Sequence, residues 1–225
     1  MLVRHGESTW NACNRFAGWV DVDLTPRGVE EARQAGRALA RAGFRFESAH
    51  TSVLKRAHRT LWHLLDELDC TWLPVTASWR LNERHYGALQ GLDKLDAAAR
   101  YGQDQVRRWR RGADARPPAL DAEASARERT DPRYAGLAAA DFPTGESLQD
   151  TADRVQPYWR DTLAPSLRAG RQLLVVAHGN SIRALVTHVE RSPRGEFESG
   201  EIPHGEPLVY EFDADLGVTA KLHLA

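Results

Sequence analysis

Cysteine is nearly absent: Cys13 and Cys70 are the only two in 225 residues. No disulfide framework is therefore expected, and a reducing, cytoplasmic setting is the default. Long apolar runs are missing as well. The longest stretch without Asp, Glu, Lys or Arg is the eleven residues between Arg171 and Arg183, whereas a membrane-spanning helix needs about 20. Arg4, His5 and Glu7 interrupt the N-terminus before the apolar core of a signal peptide builds. Charge of one sign is not in excess: 30 basic residues face 31 acidic ones, a net of −1, so nothing draws the whole chain toward nucleic acid or an anionic membrane. Lysine is confined to Lys55, Lys94 and Lys221, leaving arginine to carry the rest of the basic charge. Arginine binds phosphate bidentately, but composition does not separate that use from codon bias; position does. Neither a Gly-x-x-x-x-Gly-Lys-Ser/Thr loop nor a G-x-G-x-x-G fingerprint occurs.

What is present is an ordinary globular composition, 42% hydrophobic and 27% charged, at a length suited to one large domain or a domain with an insertion. Two segments share a local pattern. Met1-Leu2-Val3 runs into Arg4-His5-Gly6-Glu7, and Leu173-Leu174-Val175-Val176-Ala177 runs into His178-Gly179-Asn180-Ser181. A continuous apolar run reads as a strand buried on both faces. The helical spacing of Ile182, Leu185, Val186 and Val189 then places His178 at a strand's carboxyl end, where open α/β sheets bind ligands. His5 takes the equivalent place.

Helices are expected between these strands. Thr25-Pro26 offers an N-cap and a proline at the first helical position, with an apolar stripe running to Gly43. Phe44 to His50 reads as a strand, and Thr51-Ser52 as the cap of a helix carrying Leu54, Ala57, Leu61, Leu64, Leu65 and Leu68. The stretch from about Asn82 to Phe142 is rich in Arg, Ala, Gly and Pro and reads as an insertion over one end of the sheet, helical around 95–101 and 104–110. Ser147 and Asp150 form a candidate capping box for a helix to about Leu163, kinked by Pro157. Leu208–Phe212 and Val218–Leu224 read as a terminal hairpin. The alternation argues for an α/β fold: a three-layer α/β/α arrangement with a mainly parallel sheet flanked by helices.

The imidazole of His5 is a candidate nucleophile toward phosphorus. Arg4 is adjacent, Arg56 falls in the first turn of a helix, and His178 arrives from the second strand end, so all three are candidate phosphate contacts. Glu83 opens the insertion and is the candidate proton donor to a leaving oxygen. Metal chemistry is not expected. His-based sites recruit nearby carboxylates or cysteines, and neither His-Gly segment has a flanking Asp, nor does H-E-x-x-H or C-x-x-C occur. Arg107-Arg108-Trp109-Arg110-Arg111 reads as a solvated helix face, a nucleic-acid patch or a polyanion contact, and the neutral overall charge disfavours the second. Trp10 and Trp19 read as packing residues.

These residues together resemble the histidine phosphatase superfamily, and more narrowly its 2,3-bisphosphoglycerate-dependent phosphoglycerate mutase family. The resemblance rests on Leu2–Ser8 and Ala177–Asn180, and on Trp19–Thr25, Thr51–Ala57, Leu81–Gly91, Trp109–Gly112 and Pro207–Phe212. It implies one mutase-like domain over 1–225, with the insertion at about 82–142. It implies that His5 takes the phosphoryl group, that Glu83 gives and takes the proton, and that Arg4, Arg56 and His178 hold the phosphate, with Asn11 and Gly179 nearby. Ser8, Ala17, Gly18, Arg84, Tyr86, Lys94, Arg110, Arg111 and Asn180 fall at substrate-contacting positions. The implied reaction interconverts 3- and 2-phosphoglycerate, with 2,3-bisphosphoglycerate as primer and no metal; the implied partners are small phosphoglycerates and further copies in a homodimer or homotetramer, not nucleic acid or membrane. Three departures from the family shift the expectation toward hydrolysis of small phosphate esters as the alternative. The first strand and the tail after the last strand are short, and Ala17 stands where the family generally has threonine. His204 and Glu206 are further atypical residues with no role assigned.

Overall fold

The computed structural model describes residues 1–197 and 200–224. In chain order the elements are β1 (Leu2–Arg4), α1 (Thr9–Ala12), α2 (Pro26–Arg41), β2 (Ser48–Thr51), α3 (Lys55–Glu67) and β3 (Val75–Ala77). Then come α4 (Lys94–Tyr101), α5 (Gln103–Arg111), α6 (Ala122–Arg129), α7 (Leu148–Tyr158), α8 (Ala164–Arg168), β4 (Leu173–Ala177), α9 (Gly179–Val189), β5 (Pro207–Phe212) and β6 (Val218–His223). The six strands form one sheet in the order β3-β2-β4-β1-β5-β6. The pairs β3–β2, β2–β4 and β4–β1 are parallel, while β1–β5 and β5–β6 are antiparallel. The fold is the expected α/β one, with a mainly parallel sheet.

Strand periodicity divides the core. Leu2, Leu173, Val175 and Ala177 share one cluster with Val155 of α7 and Ile182 and Leu185 of α9. Val3, Leu174 and Val176 join the other, with Ala35 and Leu39 of α2 and Leu61 and Leu64 of α3. Successive side chains point to opposite faces of a strand, so one five-residue run, buried throughout in β4, serves both helical layers. The elements between 82 and 142 bury small cores of their own. Phe16, Leu89, Ala97, Val106 and Trp109 form one, and Trp19, Tyr134 and Phe142 another. Both tie the 82–142 segment to the loop after α1.

Several expected boundaries move. The ladder begins at Ser48 rather than Phe44, because Phe44 and Phe46 pack against the α2–α3 core ahead of the paired residues. Thr51 is the last residue of β2, and its hydroxyl donates to the Val176 carbonyl. It does not cap α3. Leu54 is the N-cap, Ser52 Oγ accepts from Leu54 N–H, and Asp21 Oδ1 accepts from Lys55 N–H at 2.7 Å. The Ser147–Asp150 capping box is present. Its helix runs on after Pro157 through a π-helical turn, Trp159–Leu163.

Candidate active site

β1 and β4 are parallel neighbours, with Arg4 opposite Ala177, so their next residues, His5 and His178, leave the sheet side by side. The two rings meet edge to face with centroids 4.9 Å apart. His5 N–H donates to the Ala177 carbonyl at 2.9 Å. Its ring Nδ1 lies 2.7 Å from the Gly6 carbonyl oxygen. A carbonyl only accepts, so Nδ1 carries the proton and Nε2 keeps its lone pair. Burial, reinforced by the charges of Arg56 and Arg4, holds the His5 pKa well below its ordinary value, so the ring stays neutral. Burial and Arg56 depress His178 in the same way, and its Nε2 shares a 2.7 Å hydrogen bond with Ser52 Oγ.

The turn at Gly6 is set by a close crossing of backbone over the start of α2. A Cβ on Gly6 would lie 2.1 Å from the Gly28 carbonyl oxygen, and one on Gly28 would lie 2.1 Å from that of Glu7. Only glycine at both positions permits the approach. Gly6 N–H then donates to Thr60 Oγ1 of α3.

Arg56 stands in the first turn of α3, buried, with Nη1 and Nη2 donating to the carbonyls of Val20 and Gly18. Burial pushes its pKa down to about 10, which leaves it charged at neutral pH. Glu83 follows a 3-10 turn at Trp79–Leu81. Its main-chain carbonyl accepts from Trp19 Nε1 at 2.6 Å and from Arg154 Nη2 at 2.9 Å. Its side-chain Oε1 accepts from the amide of Arg84, from Asn180 Nδ2 at 2.8 Å and from Asn180 N–H at 3.3 Å. Asn180 Nδ2 also reaches the Tyr86 hydroxyl. Burial pushes the Tyr86 phenol up, but the charge of Arg84 and the hydrogen bonds from Arg84 and Asn180 outweigh it, and its pKa falls.

A cavity of about 120 Å³ opens above these residues, room for roughly four waters at about 30 Å³ each. His5, Arg4, Arg56 and Glu83 line it near the sheet, with Gly179 and Asn180 from α9. Asn11 lines it from α1, Ala17 and Gly18 from the loop that follows, and Tyr86, Lys94, Arg110 and Arg111 from the 82–142 segment. Three expected residues are elsewhere. Ser8 is a helix cap, bonded to Asn11. Arg84 lies behind the wall, donating to the Tyr86 hydroxyl and the Arg110 carbonyl with its guanidinium over the Tyr86 ring. His178 does not line the cavity and stands behind His5.

Arg15, Phe16, Arg183, Glu201 and Ile202 also line the cavity and were not anticipated. Arg183 sits one helical turn after Asn180 and donates to its Oδ1, a spacing legible in the sequence. Arg15, Glu201 and Ile202 give no local signal, because they arrive through pairing of distant segments. Among the described residues the wall thus carries Arg4, Arg15, Arg56, Lys94, Arg110, Arg111 and Arg183 against Glu83 and Glu201, in a protein whose net charge is −1. Arg4 Nε, Arg56 Nε and His178 Nδ1 are buried without a protein partner, as are Nε and Nη1 of Arg84. Buried polar atoms in native proteins are almost always satisfied, and two of these, Arg4 Nε and Arg56 Nε, belong to residues that line the cavity beside His5. Among the described residues no cluster of three His, Cys, Asp or Glu is arranged to hold a metal ion, and no helix is long and apolar enough to cross a membrane.

A family model described as the histidine phosphatase superfamily (branch 1) matches residues 1–140 and 120–223. Among solved structures, a mycobacterial glucosyl-3-phosphoglycerate phosphatase in complex with VO3 is 23% identical, over 99% of this chain and 95% of that one, with a TM-score of 0.71. A putative alpha-ribazole-5'-P phosphatase from Escherichia coli is 22% identical, over 97% and 91%, with a TM-score of 0.71. The alpha-ribazole phosphatase from Shigella flexneri is 20% identical, over 100% and 95%, with a TM-score of 0.70. At these identities the likeness establishes the fold.

Proposed function

The chain belongs to the histidine phosphatase superfamily (branch 1), and from that premise we propose that it hydrolyses small phosphate monoesters through a phosphohistidine on His5. The observation that carries the reading is the Nδ1 bond of His5 to the Gly6 carbonyl, which leaves Nε2 unprotonated at the wall of a strongly cationic cavity. Nε2 attacks phosphorus and forms an N–P bond while the P–O bond to the leaving group breaks. Glu83 gives its proton to the departing alkoxide. Water then attacks the phosphohistidine, Glu83 takes the proton back, and inorganic phosphate leaves. Arg4 and Arg56, which line the cavity with His5, hold the charge that develops on the equatorial oxygens.

Lys94, Arg110 and Arg111 stand on the insertion side of the cavity, which fits a substrate with a second anionic group such as a carboxylate. The similar solved structures are named as phosphatases, and that supports water as the final acceptor. The three insertion-side cations also fit the second reading, interconversion of 3- and 2-phosphoglycerate primed by 2,3-bisphosphoglycerate. One experiment tests both. 3-Phosphoglycerate is supplied with and without 2,3-bisphosphoglycerate, and phosphate release, isomerisation and acid-labile label on His5 are followed together. Label on His5 with phosphate release exceeding isomerisation is expected. Isomerisation exceeding release would replace the phosphatase reading with the mutase one, and full turnover by His5→Ala would remove both.

A further inference from the structure

The loop Ile202–Glu206 approaches the end of β1 just where the reacting histidine leaves the sheet. β1 and β5 pair at Leu2–Leu208 and Val3–Pro207. There the strand ladder stops, and the Pro207 carbonyl faces the other way, accepting from Leu224 N–H at 3.0 Å. Past that point the bonds to β1 come from the loop. Gly205 N–H donates to the Arg4 carbonyl at 3.0 Å, and Arg4 Nη1 donates to the Ile202 carbonyl at 2.6 Å. His204 completes the set, with Nδ1 2.8 Å from the His5 carbonyl oxygen. That oxygen can only accept, so Nδ1 of His204 carries the proton and donates.

His5 is therefore gripped on both flanks. β4 holds its N–H through the Ala177 carbonyl, and the His204 side chain holds its C=O. The two imidazole centroids are 5.5 Å apart. The loop itself is seated firmly. Gly205 has φ +65°, and a Cβ there would lie 2.9 Å from both the Cβ and the carbonyl oxygen of Glu31 on α2, so it rests against a helix that cannot yield.

We propose that His204 is a positioning residue for phosphoryl transfer at His5. Its Nδ1–H bond to the His5 carbonyl fixes the backbone from which the nucleophilic ring projects. The inference rests on the reading of His5 as the nucleophile. Displacement at phosphorus demands an aligned attack, and small misplacements of the attacking atom are costly in rate.

The test uses three variants of the full-length protein. In His204→Asn the amide Nδ2 can take the place of Nδ1; His204→Gln moves the donor away; His204→Leu removes it. Single-turnover formation of phosphohistidine and steady-state kcat and KM are measured with p-nitrophenyl phosphate. His204→Leu and His204→Gln are expected to slow phosphohistidine formation about tenfold, the loss of one neutral hydrogen bond, with KM within about twofold. His204→Asn is expected to recover the rate to within about threefold. A wild-type rate in His204→Leu, a loss in His204→Asn as large as in His204→Leu, or an effect confined to KM would each overturn the proposal. Where His204→Leu gives no cooperative thermal transition, the Asn and Gln variants decide by the same criteria. His5→Ala run alongside separates the two failures. Turnover that survives in His5→Ala removes the premise, whereas a dead His5→Ala beside an unaffected His204→Leu removes only the role of His204.

Discussion

Acidification from pH 7.5 to 5.0 should weaken this protein far more than its surface charges would. His5 and His178 are held neutral well below their ordinary pKa, chiefly by burial, and His50, buried against the Tyr158 hydroxyl, is pushed down to about 4. A histidine with a depressed folded pKa binds its proton more readily in the unfolded chain. Above pH 6.5 such a histidine is unprotonated in both states and its contribution to stability is flat. As pH falls below 6.5, the unfolded state takes up protons that the folded state refuses, and stability is lost. At pH 5, each histidine that stays neutral when folded costs about 2 kcal/mol relative to pH 7.5. His50, with its pKa of about 4, contributes nearly that amount. His5 and His178 add to the loss in the same direction. Asp131 and Asp150 also sit below their usual pKa, but their losses fall below about pH 4. The assay is urea unfolding at both pH values in phosphate-free buffer, with His50→Gln expected to shrink the difference by about 2 kcal/mol. Stabilities that agree within about 1 kcal/mol would refute the buried neutral state, and with it the argument for an unprotonated nucleophile.

Glu83→Gln should lower kcat about 10²- to 10⁴-fold on alkyl phosphates; with p-nitrophenyl phosphate, whose leaving group needs no proton, phosphohistidine should accumulate in a quench-flow experiment. Arg110→Ala should raise KM about ten- to a hundredfold for phosphate esters that also carry a carboxylate, and should leave p-nitrophenyl phosphate nearly unaffected; equal losses on both would place Arg110 on the transferring phosphate. Gly6→Ala should both destabilise the fold and abolish activity, since its Cβ would stand 2.1 Å from the Gly28 carbonyl oxygen; a stable, active Gly6→Ala in a melting and turnover assay would contradict the crossing. Glu146→Ala should cost about 3–5 kcal/mol in chemical unfolding, because it strands buried Arg154, which otherwise bonds both Glu146 and the Glu83 carbonyl. Little change there would mean that Arg154 is satisfied by main-chain carbonyls alone.

Local chemistry made much of this protein legible in advance. The five-residue apolar run Leu173–Ala177 names a strand buried on both faces because no polar side chain interrupts it, and Thr25-Pro26 and Ser147–Asp150 name helix starts because capping is settled within four residues. His5, Arg56, Glu83 and the insertion arginines could be singled out because their chemistry is unusual at strand ends, helix starts and loop entries. What the sequence could not supply was every contact between distant segments. Asp21 caps α3 from 34 residues away, which is why Thr51-Ser52 looked like the cap. The family resemblance places Ser8 and Arg84 at the substrate, yet Ser8 caps the start of α1 and Arg84 stands behind a tyrosine. Arg15, Glu201 and Ile202 reach the cavity only because the first loop and the β5 approach converge there. The same convergence brings His204 to the carbonyl of His5, 199 residues earlier. Sequence determined the strand ends and the charged groups, since backbone preferences and side-chain chemistry are local. Tertiary structure decided which of those groups share one cavity and which ring nitrogen is left free, because sheet order and hydrogen-bond partners exist only once the chain has closed on itself.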